Sequence, residues 1–238
     1  MPLASQRGRV QGILYPLTGW LAGKRVHPNL LTTIGFLIAI GAALAFDQRL
    51  VRTAGFLVLL SGFFDIIDGQ VARISELGSK FGAFYDATLD RIGEIAVFLG
   101  LLSLYNDYRL ELGDVGMIYL IMIAMGGSLM VSYTKSKAET MGLDVDVGLM
   151  QRAERVIIIG LPALLFGLMW QGLVLKGAIL VLAIFTNVTA IQRIVWVYRH
   201  AGGVPLEAGG PGAGVEGVAP EGEAPEPGPA RGTPPRED

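Results

Sequence analysis

Six apolar runs, each near the length a helix needs to cross a bilayer, constrain this chain more than any other feature. They extend over about Leu30–Phe46, Thr53–Arg73, Phe81–Tyr105, Val115–Tyr133, Val156–Trp170 and Leu173–Tyr198. The expected fold class is therefore an all-α integral membrane protein with six transmembrane helices. Composition agrees. Hydrophobic residues make up 52% and charged residues 17%, against about 25% charged in a soluble domain. There is no cysteine, which excludes disulfides, thiolate metal sites and cysteine nucleophiles. Two histidines are too few for a His-rich metal site.

Six spans put both termini on one side. Connections on that side carry Arg7, Arg9, Lys24, Arg25, Arg73, Lys80, Lys135, Lys137, Arg152, Arg155, Arg193 and Arg199. The other side carries Arg49, Arg52, Arg109 and Lys176. The positive-inside rule then places both termini in the cytoplasm of a multi-pass plasma (inner) membrane protein. Residues 1–29 contain Pro16 and no unbroken apolar core, so they do not read as a signal peptide. Ile13, Leu14, Leu17, Trp20 and Leu21 share a helical stripe, which predicts a short amphipathic helix in the cytoplasmic interface. Residues 201–238 hold seven acids, two bases, ten glycines and eight prolines. They read as a disordered acidic tail, dispensable for chemistry. The expected domains are the interfacial segment 1–29, a six-helix body 30–200 and the tail 201–238. The net charge of −2 hides the split: the tail is 2 − 7 = −5, so residues 1–200 are −2 + 5 = +3.

Spans two and three carry Asp65, Asp68, Asp86, Asp90, Arg91 and Glu94. Each charge at a membrane helix centre costs roughly 2.5–3.5 kcal/mol, so such groups need a partner, water or a cation. Asp65 and Asp68 stand i, i+3, and Asp86 and Asp90 stand i, i+4. Each pair therefore shares a helix face, and two facing helices bring four carboxylates into one cluster. Oxygen-only ligation by Asp65, Asp68, Asp86 and Asp90 favours Mg²⁺ or Mn²⁺, and two such ions on a phosphate drive in-line displacement. Gly69 follows Asp68, and Ala72 lies on the next turn, leaving a shallow patch for a bulky headgroup. Gly82 lies one turn before Asp86 and permits close helix packing. Arg73 ends its span, where a guanidinium can grip a phosphate.

The stretch D-I-I-D-G-Q-V-A-R, eight residues, then G-A-F-Y-D-A-T-L-D resembles the signature of CDP-alcohol phosphatidyltransferases. Asp65, Asp68, Gly69, Ala72, Arg73, Gly82, Asp86 and Asp90 fill its eight fixed positions. P-N-L-L-T at Pro28–Thr32 looks like the family's opening of the first span. The resemblance covers most of residues 25–200. It implies a six-helix membrane enzyme, a homodimer, that moves a phosphatidyl group from a CDP-linked lipid to an alcohol and releases CMP. It implies that Asp65, Asp68 and Asp86 hold two divalent ions on the pyrophosphate. Asp90 would take the acceptor's proton as general base. Gly69, Ala72 and Arg73, with Gly82, Asn29 and Thr32, would line the CDP-lipid site beside Asp65 and Asp68.

A second, basic constellation bears on the acceptor. Lys135 ends span four in S-Y-T-K-S-K-A-E, Arg152 and Arg155 enter span five in Q-R-A-E-R, and Arg193 lies within the apolar span six. A cationic pocket suits an acceptor that already carries a phosphate. This stretch is similar to prokaryotic phosphatidylinositol phosphate synthases and their archaeal counterparts, which implies inositol 1-phosphate as acceptor. The donor is then CDP-diacylglycerol or an archaeal equivalent. Glycerol 3-phosphate, the acceptor of phosphatidylglycerophosphate synthases, is the closest competitor. A membrane transporter with a buried carboxylate ion site is the reading from another class, weakened by the lack of an internal repeat. No nucleic-acid partner is expected.

Overall fold

The computed structural model describes residues 7–75, 77–106 and 115–201, with side chains in the first helix described from Tyr15 onward. Arg109 and the tail beyond residue 201 lie outside the described residues, as do the side chains of Ile13 and Leu14. The described residues form seven helices and no strand: α1 Arg7–Gly23, α2 Pro28–Asp47, α3 Val51–Ile74, α4 Lys80–Asn106, α5 Val115–Glu139, α6 Arg152–Phe166 and α7 Met169–Ala201.

Local chemistry sets the boundaries. Pro28 starts α2 with φ already helical, and the His27 ring accepts the Asn29 N–H at 3.2 Å as cap. The α2–α3 turn is closed by Arg49 in the left-handed region at φ 62°. Helix α6 is as long as the predicted fifth span but begins and ends about four residues earlier. It stops at Phe166 because Gly167 turns to φ 55°. Trp170, Gln171 and Gly172 are also left-handed, so the long regular part of α7 begins at Leu173, where the sixth apolar run starts. Helices α2, α3, α5 and α7 are long and apolar enough to cross a membrane. Helix α6 has only 15 residues, and α4 carries Asp86, Asp90, Arg91 and Glu94 along 27 residues.

Helices α2 to α7 close a ring in the order α2, α3, α6, α7, α5, α4, and α1 lies against α3. Lipid tails are as apolar as leucine, so such helices associate through close packing rather than through the hydrophobic effect. Glycines make that packing possible. A Cβ on Gly100 of α4 would lie 2.5 Å from the Ala43 carbonyl of α2. A Cβ on Gly55 of α3 would run into the backbone of Leu164 and Gly160 on α6.

At one end the ring is filled by buried side chains, among them Phe46, Phe98, Leu101, Leu104, Tyr105, Ile121, Leu175 and Ile179. The other end gathers the starts of α2, α4 and α6 and the ends of α3, α5 and α7. That end holds every residue singled out above for chemistry.

Candidate active site

The i, i+3 spacing on α3 points Asp65 and Asp68 inward together, and α4 presents Asp86 from across the ring's interior. One carboxylate oxygen from each of Asp65, Asp68 and Asp86 lies within 4.8 Å of the other two. Asp68 is buried. Oδ1 of Asp86 is buried and meets no hydrogen-bond donor among the described residues. A buried carboxylate oxygen without a donor is costly. Three converging oxygens with one orphaned are the donor set of a hard divalent cation. The residues fit such an ion. Asp90 stands outside this trio: its Oδ2, like Oδ1 of Asp65, is taken by Nη1 of Arg152.

Two clefts meet at Thr32 and Asp68. One, of about 540 Å³, is lined by Asn29, Thr32, Asp68, Gly69, Ala72, Ser79, Gly82 and Asp86. Nearly all of the predicted CDP-lipid residues are thus brought together. The missing two are Asp65, which lines the other cleft, and Arg73, which is exposed with Nη2 4.0 Å from where a Gly69 Cβ would stand. Nothing nearer would meet that Cβ, so the bare backbone at Gly69 leaves open space in the cleft rather than relieving a helix contact. Gly82 is different. A Cβ there would stand 3.0 Å from Asn29 Oδ1 and 3.1 Å from Ser79 Oγ, and its N–H donates to Ser79 Oγ at 2.9 Å.

The second cleft, of about 640 Å³, is lined by Asp65, Asp68, Asp90, Glu94, Arg152 and Arg155 above an apolar floor that includes Val97 and Ile159. Of the four predicted acceptor-phosphate residues, it gathers Arg152 and Arg155. Lys135 is half-buried and pairs with Glu139 at 3.9 Å. Arg193 is 3% exposed, and its guanidinium donates to the carbonyls of Val147 at 2.9 Å and Val131 at 2.6 Å. With Thr189, whose Oγ1 accepts the Met150 N–H at 3.3 Å, Arg193 straps the α5–α6 connection onto α7. That strap leads directly into Arg152 and Arg155.

Sequence reasoning assigned no role to Glu94, Ser128 or Thr189. Arg155 donates to Glu94 through Nε at 2.7 Å and Nη2 at 3.2 Å, and Ser128 Oγ donates to Glu94 at 2.6 Å. The spacing of Glu94, one turn after Asp90, was the available signal. Its partners come from two other helices and leave no trace in the local sequence.

The described residues thus form an all-helical protein with apolar membrane-length helices, whose inward carboxylates suit a divalent cation between one small-residue cleft and one charged cleft. Residues 25–197 match the family model described as CDP-alcohol phosphatidyltransferase. The chain is 34% identical over 172 residues to archaetidylinositol phosphate synthase of Methanothermobacter thermautotrophicus, covering 72% of this chain and 83% of that protein. It is 35% identical over 198 residues to phosphatidylinositol phosphate synthase of Mycobacteroides abscessus, covering 82% and 87%. Among solved structures, Mycobacterium tuberculosis phosphatidylinositol phosphate synthase with CDP-DAG bound is similar at TM-score 0.69 and 30% identity, over 78% of this chain and 94% of that one. The same enzyme in complex with manganese and citrate is similar at TM-score 0.68. The chain belongs to the CDP-alcohol phosphatidyltransferase family. It is a membrane-bound transferase of phospholipid biosynthesis, with a CDP-linked lipid as donor and an alcohol as acceptor.

Proposed function

We propose that this enzyme transfers the phosphatidyl group of CDP-diacylglycerol to inositol 1-phosphate and releases CMP. The observation that carries this reading is the meeting of the two clefts at Asp68 and Thr32, with Arg152 and Arg155 on one side only. A neutral alcohol has no use for two guanidinium groups in its cleft, whereas a phosphorylated one does. The names of the relatives point the same way.

Asp65, Asp68 and Asp86, with Asp90 beside them, would hold two divalent ions, Mg²⁺ or Mn²⁺, which would supply Lewis-acid neutralisation of phosphate charge. The chain's own residues do the rest. Gly69, Ala72, Gly82, Asn29 and Thr32 admit the cytidine nucleotide against bare backbone, with Arg73 at the rim. Arg152 exchanges a carboxylate for the acceptor's phosphate, with Arg155 behind it. Lys135 adds long-range attraction from the rim. Arg193 acts through the strap. Asp90 accepts the proton from the acceptor hydroxyl. The new bond forms between that oxygen and the phosphatidyl phosphorus, and the bond from that phosphorus to the CMP oxygen breaks.

The body is residues 30–200, with α2 to α7 as six spans and α4 and α6 admitted through their partners in the ring. Helix α1 lies in the cytoplasmic interface, where Tyr15, Leu17 and Trp20 are exposed. Both termini and the carboxylate end face the cytoplasm of the plasma membrane, where nucleotide-linked lipids and sugar phosphates are found. Two copies form a homodimer, and the tail is dispensable for chemistry.

The test is CMP release from CDP-diacylglycerol with a panel of acceptors: inositol 1-phosphate, glycerol 3-phosphate, free inositol and free glycerol. Inositol 1-phosphate should have the highest kcat/KM. A preference for glycerol 3-phosphate would move the assignment to the phosphatidylglycerophosphate branch. A preference for free inositol would remove the anion site.

A further inference from the structure

Helices α4 and α6 face each other across the ring without packing side by side. Two arginine–acid pairs bridge the gap. The outer pair, Arg152 with Asp65 and Asp90, uses carboxylates already assigned to the reaction. The inner pair, Arg155 with Glu94, does not. Oε1 of Glu94 accepts from Arg155 Nε and from Ser128 Oγ, and Oε2 accepts from Arg155 Nη2. One carboxylate thereby ties α4, α5 and α6. Nη1 of Arg155 donates to the Met150 carbonyl at 3.2 Å and so ties in the strap.

We propose that Glu94 is the positioning residue that sets acceptor selectivity. This rests on the acceptor reading above. A guanidinium held on two nitrogens by one carboxylate cannot pivot. Arg155 is 3% exposed, and a buried cation stripped of its partner seeks another. The nearest acid on the same face of α4 is Asp90, at i−4 from Glu94. Glu94 therefore keeps Arg155 off Asp90. It also fixes the width of the cleft between α4 and α6, and so the span from Asp90 to the anion-binding end of Arg152. That span decides how far apart the hydroxyl and the phosphate of a suitable acceptor must be.

The experiment measures CMP release by the purified full chain with CDP-diacylglycerol, using inositol 1-phosphate and glycerol 3-phosphate in parallel. Glu94→Gln, nearly isosteric, and Glu94→Ala should raise acceptor KM about tenfold or more, the loss expected for a charge-assisted contact. CDP-diacylglycerol KM should stay near the wild-type value, and the ratio of kcat/KM between the two acceptors should change. Glu94→Asp should recover part of the loss, and Ser128→Ala should show a smaller shift in the same direction. A purely structural role would lower thermal stability and move both substrates' KM together, and that result overturns the proposal. So does an unchanged acceptor KM and ratio in Glu94→Gln, which remains informative if Glu94→Ala does not fold. Should the wild type turn over neither phosphorylated acceptor, both the acceptor reading and this proposal fall. Should it turn over either while the variants behave as wild type, only this proposal does.

Discussion

The two clefts share Asp68 and Thr32 and otherwise have little in common. The nucleotide-side cleft is made by leaving side chains out: Gly69, Ala72 and Gly82 expose backbone along two helices. The acceptor-side cleft is made by putting charges in: Arg152 and Arg155 meet Asp65 on the neighbouring α3 and Asp90 and Glu94 on α4 across the ring. A cavity of small residues takes a bulky, flat ligand by shape. A cavity of paired charges takes an anion by exchange, since the incoming phosphate must replace a carboxylate on Arg152. The first should tolerate little added volume, and the second little lost charge.

The residues between the clefts should break that contrast most severely. Asp68→Asn should impair both substrates together, because Asp68 lines both clefts. Asp90→Asn should lower kcat by about 10²–10⁴-fold, the usual weight of a general base, while CDP-lipid binding measured directly stays largely intact. A near-normal rate in Asp90→Asn would remove its role as base. Metal removal belongs at the same level: exhaustive EDTA treatment should abolish turnover, with recovery on adding Mg²⁺ or Mn²⁺. Undiminished turnover would show that the trio of Asp65, Asp68 and Asp86 binds no required ion.

A crossed pair of substitutions sharpens the comparison at the next level. Gly69→Leu should fill the open space beside Arg73 and raise CDP-lipid KM. Arg152→Gln should instead raise acceptor KM, by roughly 10- to 150-fold for about 1.5–3 kcal/mol of charge-assisted bonding. If each variant shifted both KM values equally, the two clefts would be one site. The smallest effect is expected from deleting residues 201–238. Activity in detergent should change by less than about tenfold, or about 1.4 kcal/mol in the transition state.

Legibility in the sequence followed the same division. Asp65, Asp68, Gly69, Ala72, Gly82 and Asp86 lie within about six helical turns, so helical periodicity alone was enough to place them on shared faces. The all-helical class was anticipated, with seven helices among the described residues, as were the boundaries near Pro28 and Leu173. The early stop of α6 was not, because apolar periodicity runs on past Gly167, whose φ of 55° ends the helix. For the basic residues, composition suggested one clamp of Lys135, Arg152, Arg155 and Arg193. The fold divided them into a rim cation, two cleft arginines and a strap.

What the sequence determined alone was whatever depends on local periodicity. This includes the long apolar helices, the absence of cysteine and the scarcity of imidazole ligands, and the carboxylates paired on helix faces with glycine between them. What only the tertiary structure decided was which charges meet. Glu94 is 61 positions from Arg155, and Arg152 is 87 from Asp65. No periodicity links residues so far apart. Their pairing follows from the order in which the helices close the ring, which sets α6 opposite α4 and beside α3. A charge buried in such a ring needs a partner that lipid cannot supply, and here the carboxylates and carbonyls come from helices and loops far along the chain.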